Sequence, residues 1–170
     1  YGAVDTAMLA RTIAWLKSRR DGKGGYLRDA KALDSFGRAS PEVTDAYITW
    51  ALVSAGERGL EKEITKLVKL SETTEDAYQL ALATGALLEK SANASKAGLA
   101  AVARLAKMQA ASGAWMNADH SITRSGGSNL HIETTALAVL ALLKTEGYLE
   151  QARRGIAWLQ NNRSGFGQWG

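Results

Sequence analysis

Asp45, Asp76 and Glu133 are the side chains in this sequence best suited to proton chemistry. Asp45 and Asp76 stand in related settings, Thr44-Asp45-Ala46-Tyr47 and Glu75-Asp76-Ala77-Tyr78, each at the start of an alanine- and leucine-rich run. Two such carboxylates brought together could share acid and base work. Each also suits a helix first turn, where a negative charge meets the positive end of the helix dipole, and that explains them better. Glu133 reads as a base or as a buried partner to a neighbouring helix, with the structural role favoured. His120 and His131 flank a loop rich in Ser, Gly and Asn, where a polar surface histidine is expected rather than a ligand or proton shuttle. With no cysteine in the chain, thiol nucleophiles, disulfides and cysteine-held zinc drop out, and no metal or cofactor is expected.

These groups need positioning, and the elements available are helices. The 170 residues are 46% hydrophobic and 22% charged with one proline, the balance of a single globular domain spanning 1–170. Helices are expected near 3–19, 41–55, 58–70, 73–90, 94–110, 131–145 and 149–162. Ser40 is the N-cap of the second, Pro41 its first residue and Gly56 its stop. Residues 77–88 and 136–143 are apolar nearly all round, as inner helices must be. The 94–110 segment keeps Leu99, Val102, Ala103 and Ala106 as a stripe, and 149–162 keeps Leu149, Ala152, Ile156 and Leu159, as outer helices do. Alternating inner and outer helices give an all-α fold of two layers, an inner and an outer ring of helical hairpins, as in an α/α toroid or solenoid.

Repetition supports this arrangement. Trp15-Leu16 through Gly24-Gly25-Tyr26, Leu105 through Gly113-Ala114-Trp115, and Trp158-Leu159 through Gly165-Phe166-Gly167-Gln168-Trp169 each close a helix with glycine and then an aromatic. Glycine turns the chain out of an outer helix and the aromatic plugs the gap before the next inner one. Trp15, Trp115, Trp158 and Trp169 are accordingly expected as core plugs.

The formal charge of +4 is modest and its signs are mixed, which argues against nucleic acid. The densest basic stretch, Lys17 to Lys31, reads as solvated surface, with an anionic partner as the alternative. The longest apolar run, Leu137 to Leu143, is far short of a membrane span, and nothing at the start has the layout of a signal peptide. A chain opening at Tyr1 reads as an excised piece or a mature product.

Gly113-Ala114-Trp115 followed by Leu130-His131-Ile132-Glu133-Thr134-Thr135-Ala136-Leu137 resembles the thioester domain of the alpha-2-macroglobulin and complement family. So do the closing Trp158-Leu159 through Gly165-Phe166-Gly167, and the opening Trp15-Leu16, Asp21-Gly22 and Tyr26 followed by Val43-Thr44-Asp45-Ala46-Tyr47. The resemblance covers essentially the whole chain. It implies the later part of an (α/α)6 toroid, a partial (α/α)6 barrel of about seven helices, within a larger extracellular or periplasmic, protease-trapping or surface-tagging protein. The family's Cys-Gly-Glu-Gln-type thioester motif is absent, so this piece is expected to be non-catalytic. Asp34 is the position matching the histidine with which some members steer the thioester toward hydroxyl acceptors. The partners implied are other domains of the parent chain and the proteases it traps. A membrane enters only through anchoring of the parent.

The same toroid serves terpene cyclases and prenyltransferases, so an independent enzyme acting on isoprenoids or glycans is the rival reading, and a helical interaction scaffold a third. No Asp-x-Asp-Asp or Asp-Asp-x-x-Asp run occurs here. A toroid lacking some hairpins leaves apolar helix flanks bare, from which self-association through an open helical edge is expected.

Overall fold

A computed structural model of the chain describes residues 5–28, 39–89 and 95–163. Among these residues there are seven helices: α1 (Thr6–Ser18), α2 (Pro41–Ser54), α3 (Glu61–Thr73), α4 (Ala77–Glu89), α5 (Lys96–Lys107), α6 (Gly127–Leu142) and α7 (Leu149–Asn161). No strand accompanies them among the described residues, only an isolated bridge between Arg20 and Tyr26.

Local chemistry sets the boundaries. The Ser40 hydroxyl accepts from the Val43 amide at 3.2 Å, and Pro41 occupies the first helical position of α2. That helix stops where Gly56 turns left-handed at φ +81°. The Gly56 and Glu57 amides then donate to the carbonyls of Val53 and Leu52, a Schellman closure. Helix α3 lies three residues later than the sequence pattern indicates. Gly59 at φ +75° and a non-helical Leu60 use up the first turn. Helix α4 starts at Ala77 rather than 73, because the residues before it build its cap. Helix α6 starts four residues early, at Gly127, immediately after a turn in which the Ser125 amide bonds the Ser121 hydroxyl.

The α4 helix is the centre of the molecule. All of its residues except Gln79 and Glu89 are buried, and it packs against α2, α3, α5 and α6. The odd-numbered helices form the outer layer and α2, α4 and α6 the inner one, so the chain traces an arc of an α/α toroid. Glu89 bolts the inner layer together by accepting from Trp50 Nε1 (3.2 Å), Ser54 Oγ (2.7 Å) and Lys144 Nζ (3.0 Å).

The ends of the arc depart from expectation. Although 136–143 is apolar all round, Leu140 and Leu143 are half exposed, because α6 has α4 on one flank and α7 behind it but, among the described residues, no inner helix on its other flank. The stripes of the outer helices are also rotated. Helix α5 buries Gly98, Ala101, Val102 and Leu105 and leaves Leu99 outside. Helix α7 buries Ala152 and Gly155, while Leu149 and Ile156 face out. Close approach decides both cases: a Cβ on Gly98 would lie 2.9 Å from Leu88, and one on Gly155 2.6 Å from Val139. At the opposite end, α1 has no buried residue at all.

Candidate functional site

The connection from α1 to α2 opens with a charged corner. Arg20 forms a two-pronged pair with the Glu63 carboxylate (2.7 and 2.9 Å) and donates to the Gly59 carbonyl at 2.8 Å. That hydrogen-bonded pairing raises the Arg20 pKa further above its ordinary value. The Asp21 carboxylate accepts from the Gly25 and Lys23 amides, which hold it below the usual carboxylate range. Gly24 sits at φ +92°, where a Cβ would lie 2.7 Å from the Lys62 carbonyl oxygen, so only glycine fits. Tyr26 then plugs the core, and burial pushes its pKa up. Its amide donates to Asp45 Oδ1 at 3.2 Å, and Lys66 Nζ donates to Asp45 Oδ2 at 2.7 Å. Asp45 thus lies beyond the first turn of α2, contrary to the helix-dipole reading, and serves as a latch between corner and outer helix.

The connection from α5 to α6 repeats this geometry without the charge. Gly113, at φ +97°, would place a Cβ 2.6 Å from the Arg154 carbonyl oxygen. Trp115 is fully buried. Its amide donates to Thr135 Oγ1 at 3.1 Å and its indole N–H to the Leu105 carbonyl at 2.7 Å. Gln109 takes the place of Arg20, donating to the carbonyls of Gly113 and Gln151. The third repeat, through Gly165, Phe166 and Trp169, lies outside the described residues.

A third polar cluster closes the start of α4. Asp76 is its N-cap, accepting from the Gln79 amide at 2.9 Å, as the helix-start reading holds; its other oxygen accepts from the Asp119 amide. The Ala77 amide donates to the Asn117 carbonyl, so the 117–123 segment crosses this helix end. Tyr78 donates to Glu133 Oε1 at 2.6 Å and accepts from the Ile122 amide, while the Thr123 hydroxyl donates to the other Glu133 oxygen. Burial first, and then the bond to Glu133, raises the Tyr78 pKa well above the ordinary tyrosine value. Glu133 is therefore the structural partner of the sequence reading, joining α4, α6 and the segment between α5 and α6.

The fold does not bring Asp45 and Asp76 together: each is engaged by its own separate partners. His120 is exposed and His131 half-buried, and among the described residues no group of three or more His, Cys, Asp or Glu side chains could hold a metal. The tryptophans divide. Trp115 is a core plug, Trp158 is half-buried, and Trp15, at 61% exposure, is no plug, because among the described residues α1 has no helix packed on that side. Trp169 and Asp34 lie outside the described residues. The basic stretch is not a bare cationic surface: Lys17 pairs with Glu57, Arg20 with Glu63, Arg19 bonds the Leu27 carbonyl, and Arg28 bonds the Ala39 carbonyl and Thr44.

Sequence reasoning missed Lys66, Gln109 and Thr135 as corner residues. A signal was present for Thr135, since aligning Thr44-Asp45-Ala46 with Thr134-Thr135-Ala136 pairs it with Asp45.

No curated protein and no solved structure is matched by the chain. A family model described as the A-macroglobulin TED domain matches residues 1–170. The match spans the whole of this toroidal arc of helical hairpins with its glycine-aromatic corners: the chain belongs to the A-macroglobulin thioester domain family.

Proposed function

We propose that residues 1–170 are a single, non-catalytic helical part of the thioester domain of an alpha-2-macroglobulin-like, protease-trapping (endopeptidase inhibitor) protein that works outside the cell or in the periplasm. The observation that carries this reading is the family match across all 170 residues of a chain that has no cysteine. A thioester needs a thiol, so any reactive pair belongs to another part of the parent chain. The half-exposed leucines on α6 and the open face of α1 support it, since further helical hairpins of the same parent would cover them. Asp34 is proposed as the position that matches the family's acceptor-steering histidine.

The rival enzyme reading loses its acid and base pair, because Asp45 holds a corner and Asp76 caps a helix. The test is to express the parent reading frame and challenge it with a protease. Covalent or steric retention of that protease, through residues lying outside 1–170, is the expected result. A short reading frame ending near these boundaries, with turnover of a glycan or isoprenoid, would overturn the assignment. Self-association is a further outcome to watch: light scattering on the 170-residue chain reads whether the open helical edges pair when nothing else covers them.

A further inference from the structure

The two corners share one backbone plan but differ in how they are fastened. Around the first, three carboxylates on the α2–α3 hairpin hold the chain that leaves α1: Glu57 holds Lys17, Glu63 holds Arg20, and Asp45 holds the Tyr26 amide together with Lys66. Their side chains are 24%, 0% and 9% exposed. Around the second, among the described residues, Gln109, Trp115 and Arg154 donate only to carbonyls and to the Thr135 hydroxyl. Helix α1 adds little apolar grip. Ile13 and Leu16 are half-buried, while Met8, Leu9 and Trp15 face away from the body.

We propose that residues 6–26 form a releasable unit, let go when the three carboxylates are neutralised by acid, while α4 to α7 stay packed. This rests on the fold alone and stands whether or not the parent carries a thioester. Protonating Glu63 removes the charge that the Arg20 guanidinium grips with two hydrogen bonds, and protonating Asp45 removes the charge that Lys66 and the Tyr26 amide share, so the attachment weakens. Both carboxylates have further charged neighbours. Glu61 and Tyr26 stand near the Arg20–Glu63 pair, and Asp21 lies with Lys66 beside Asp45, where Glu42 and Lys69 line the same small pocket. Around Glu57, Arg58, Glu61 and Glu89 line one pocket. Each site holds charges of both signs, so acid removes repulsion as well as attraction there. The Glu63 carboxylate, the least exposed of the three and gripped twice by Arg20, is where release is decided. Three contacts survive acid, Lys62 to the Gly22 carbonyl, Arg20 to the Gly59 carbonyl and the buried Tyr26 hydroxyl with Thr49, and these make the unit a hinged flap rather than a free end.

Amide exchange on the whole chain, stepped from about pH 7 to about pH 3 and corrected for the intrinsic pH dependence of exchange, reads the two corners separately. Peptides over α1 and Tyr26 should lose at least about tenfold in protection before the peptide over Gln109 to Trp115 changes. Loss at both corners in one transition, or first at Trp115, overturns the proposal. The double substitution Asp45→Asn with Glu63→Gln should unprotect α1 at neutral pH and abolish the acid step, with the Trp115 indole N–H still protected; an α1 as protected as in the unaltered chain contradicts it. Should that variant fail to fold, the single substitution Glu63→Gln at neutral pH decides. Selective loss over α1 supports release, and an α1 as protected as in the unaltered chain refutes it.

Discussion

The α1–α2–α3 region and the α5–α6–α7 region are two solutions to one problem, turning the chain out of an outer helix and anchoring an aromatic plug. Gly24 and Gly113 press against the backbone of the outer helix that follows, and Tyr26 and Trp115 each donate an amide hydrogen to an inner-helix side chain. The difference lies in what fills the remaining space. Gly155 leaves room for the Trp115 ring: a Cβ there would stand 3.2 Å from it. In the first region the smaller Tyr26 lies beside the buried Arg20–Glu63 pair instead. Apolar packing is insensitive to salt and acid, while ion pairs respond to both, so one plan yields a rigid corner and a responsive one.

The largest expected effect falls on the rigid corner. Trp115→Ala should cost about 3–5 kcal/mol, measured by denaturant unfolding, because a fully buried ring and two hydrogen bonds are lost. Trp15→Ala, on an exposed face, should stay within about 0.5 kcal/mol. Comparable losses for the two would break the contrast between plug and surface. Gly24→Ala and Gly113→Ala should each cost at least about 1–2 kcal/mol from the left-handed backbone alone, before the carbonyl clash is counted.

Next come the two acceptors. Asp45→Ala and Thr135→Ala each strand a buried amide, at about 1–3 kcal/mol apiece. Only the Asp45 effect should shrink as salt is raised, since Lys66 contributes to that site alone. Equal salt dependence in parallel denaturant titrations would erase the distinction between the corners.

The smallest effects are those of pH on single groups. The folded chain depresses the Asp21 and Glu89 pKa values, so their contributions are present above the ordinary carboxylate range and fade as pH falls through the folded values. Asp21→Asn should flatten the acid limb of the stability profile slightly. Tyr78 and Tyr26 are shifted the other way. Their contribution is complete below the ordinary tyrosine pKa and is lost as pH rises toward the folded values. A spectrophotometric titration should find both silent through the ordinary tyrosine range, unless the chain unfolds first.

Much of this fold is legible in the sequence because helix patterning, caps and corner glycines are local signals. Ser40, Pro41 and Gly56 bound α2 as their chemistry dictates, and the apolar run 77–88 is the central helix. Which way an outer helix faces is not local. The large apolar side chains Leu99, Leu149 and Ile156 suggest the buried face, yet Gly98, Ala101 and Gly155 take it, because close packing there requires small residues. The polar clusters were the least legible. Asp45 and Asp76 look alike in sequence, and only the tertiary fold gives one a lysine and a corner amide and the other a helix end and a loop amide.

Mass spectrometry after methylamine treatment tests the central claim most directly, applied to the 170-residue chain and to the intact parent protein. The account predicts no adduct anywhere in residues 1–170, and in a thioester-bearing parent an adduct only on a glutamine outside them, with a thiol released there. An adduct within residues 1–170 would mean that this chain carries a reactive acyl group of its own and would contradict the assignment.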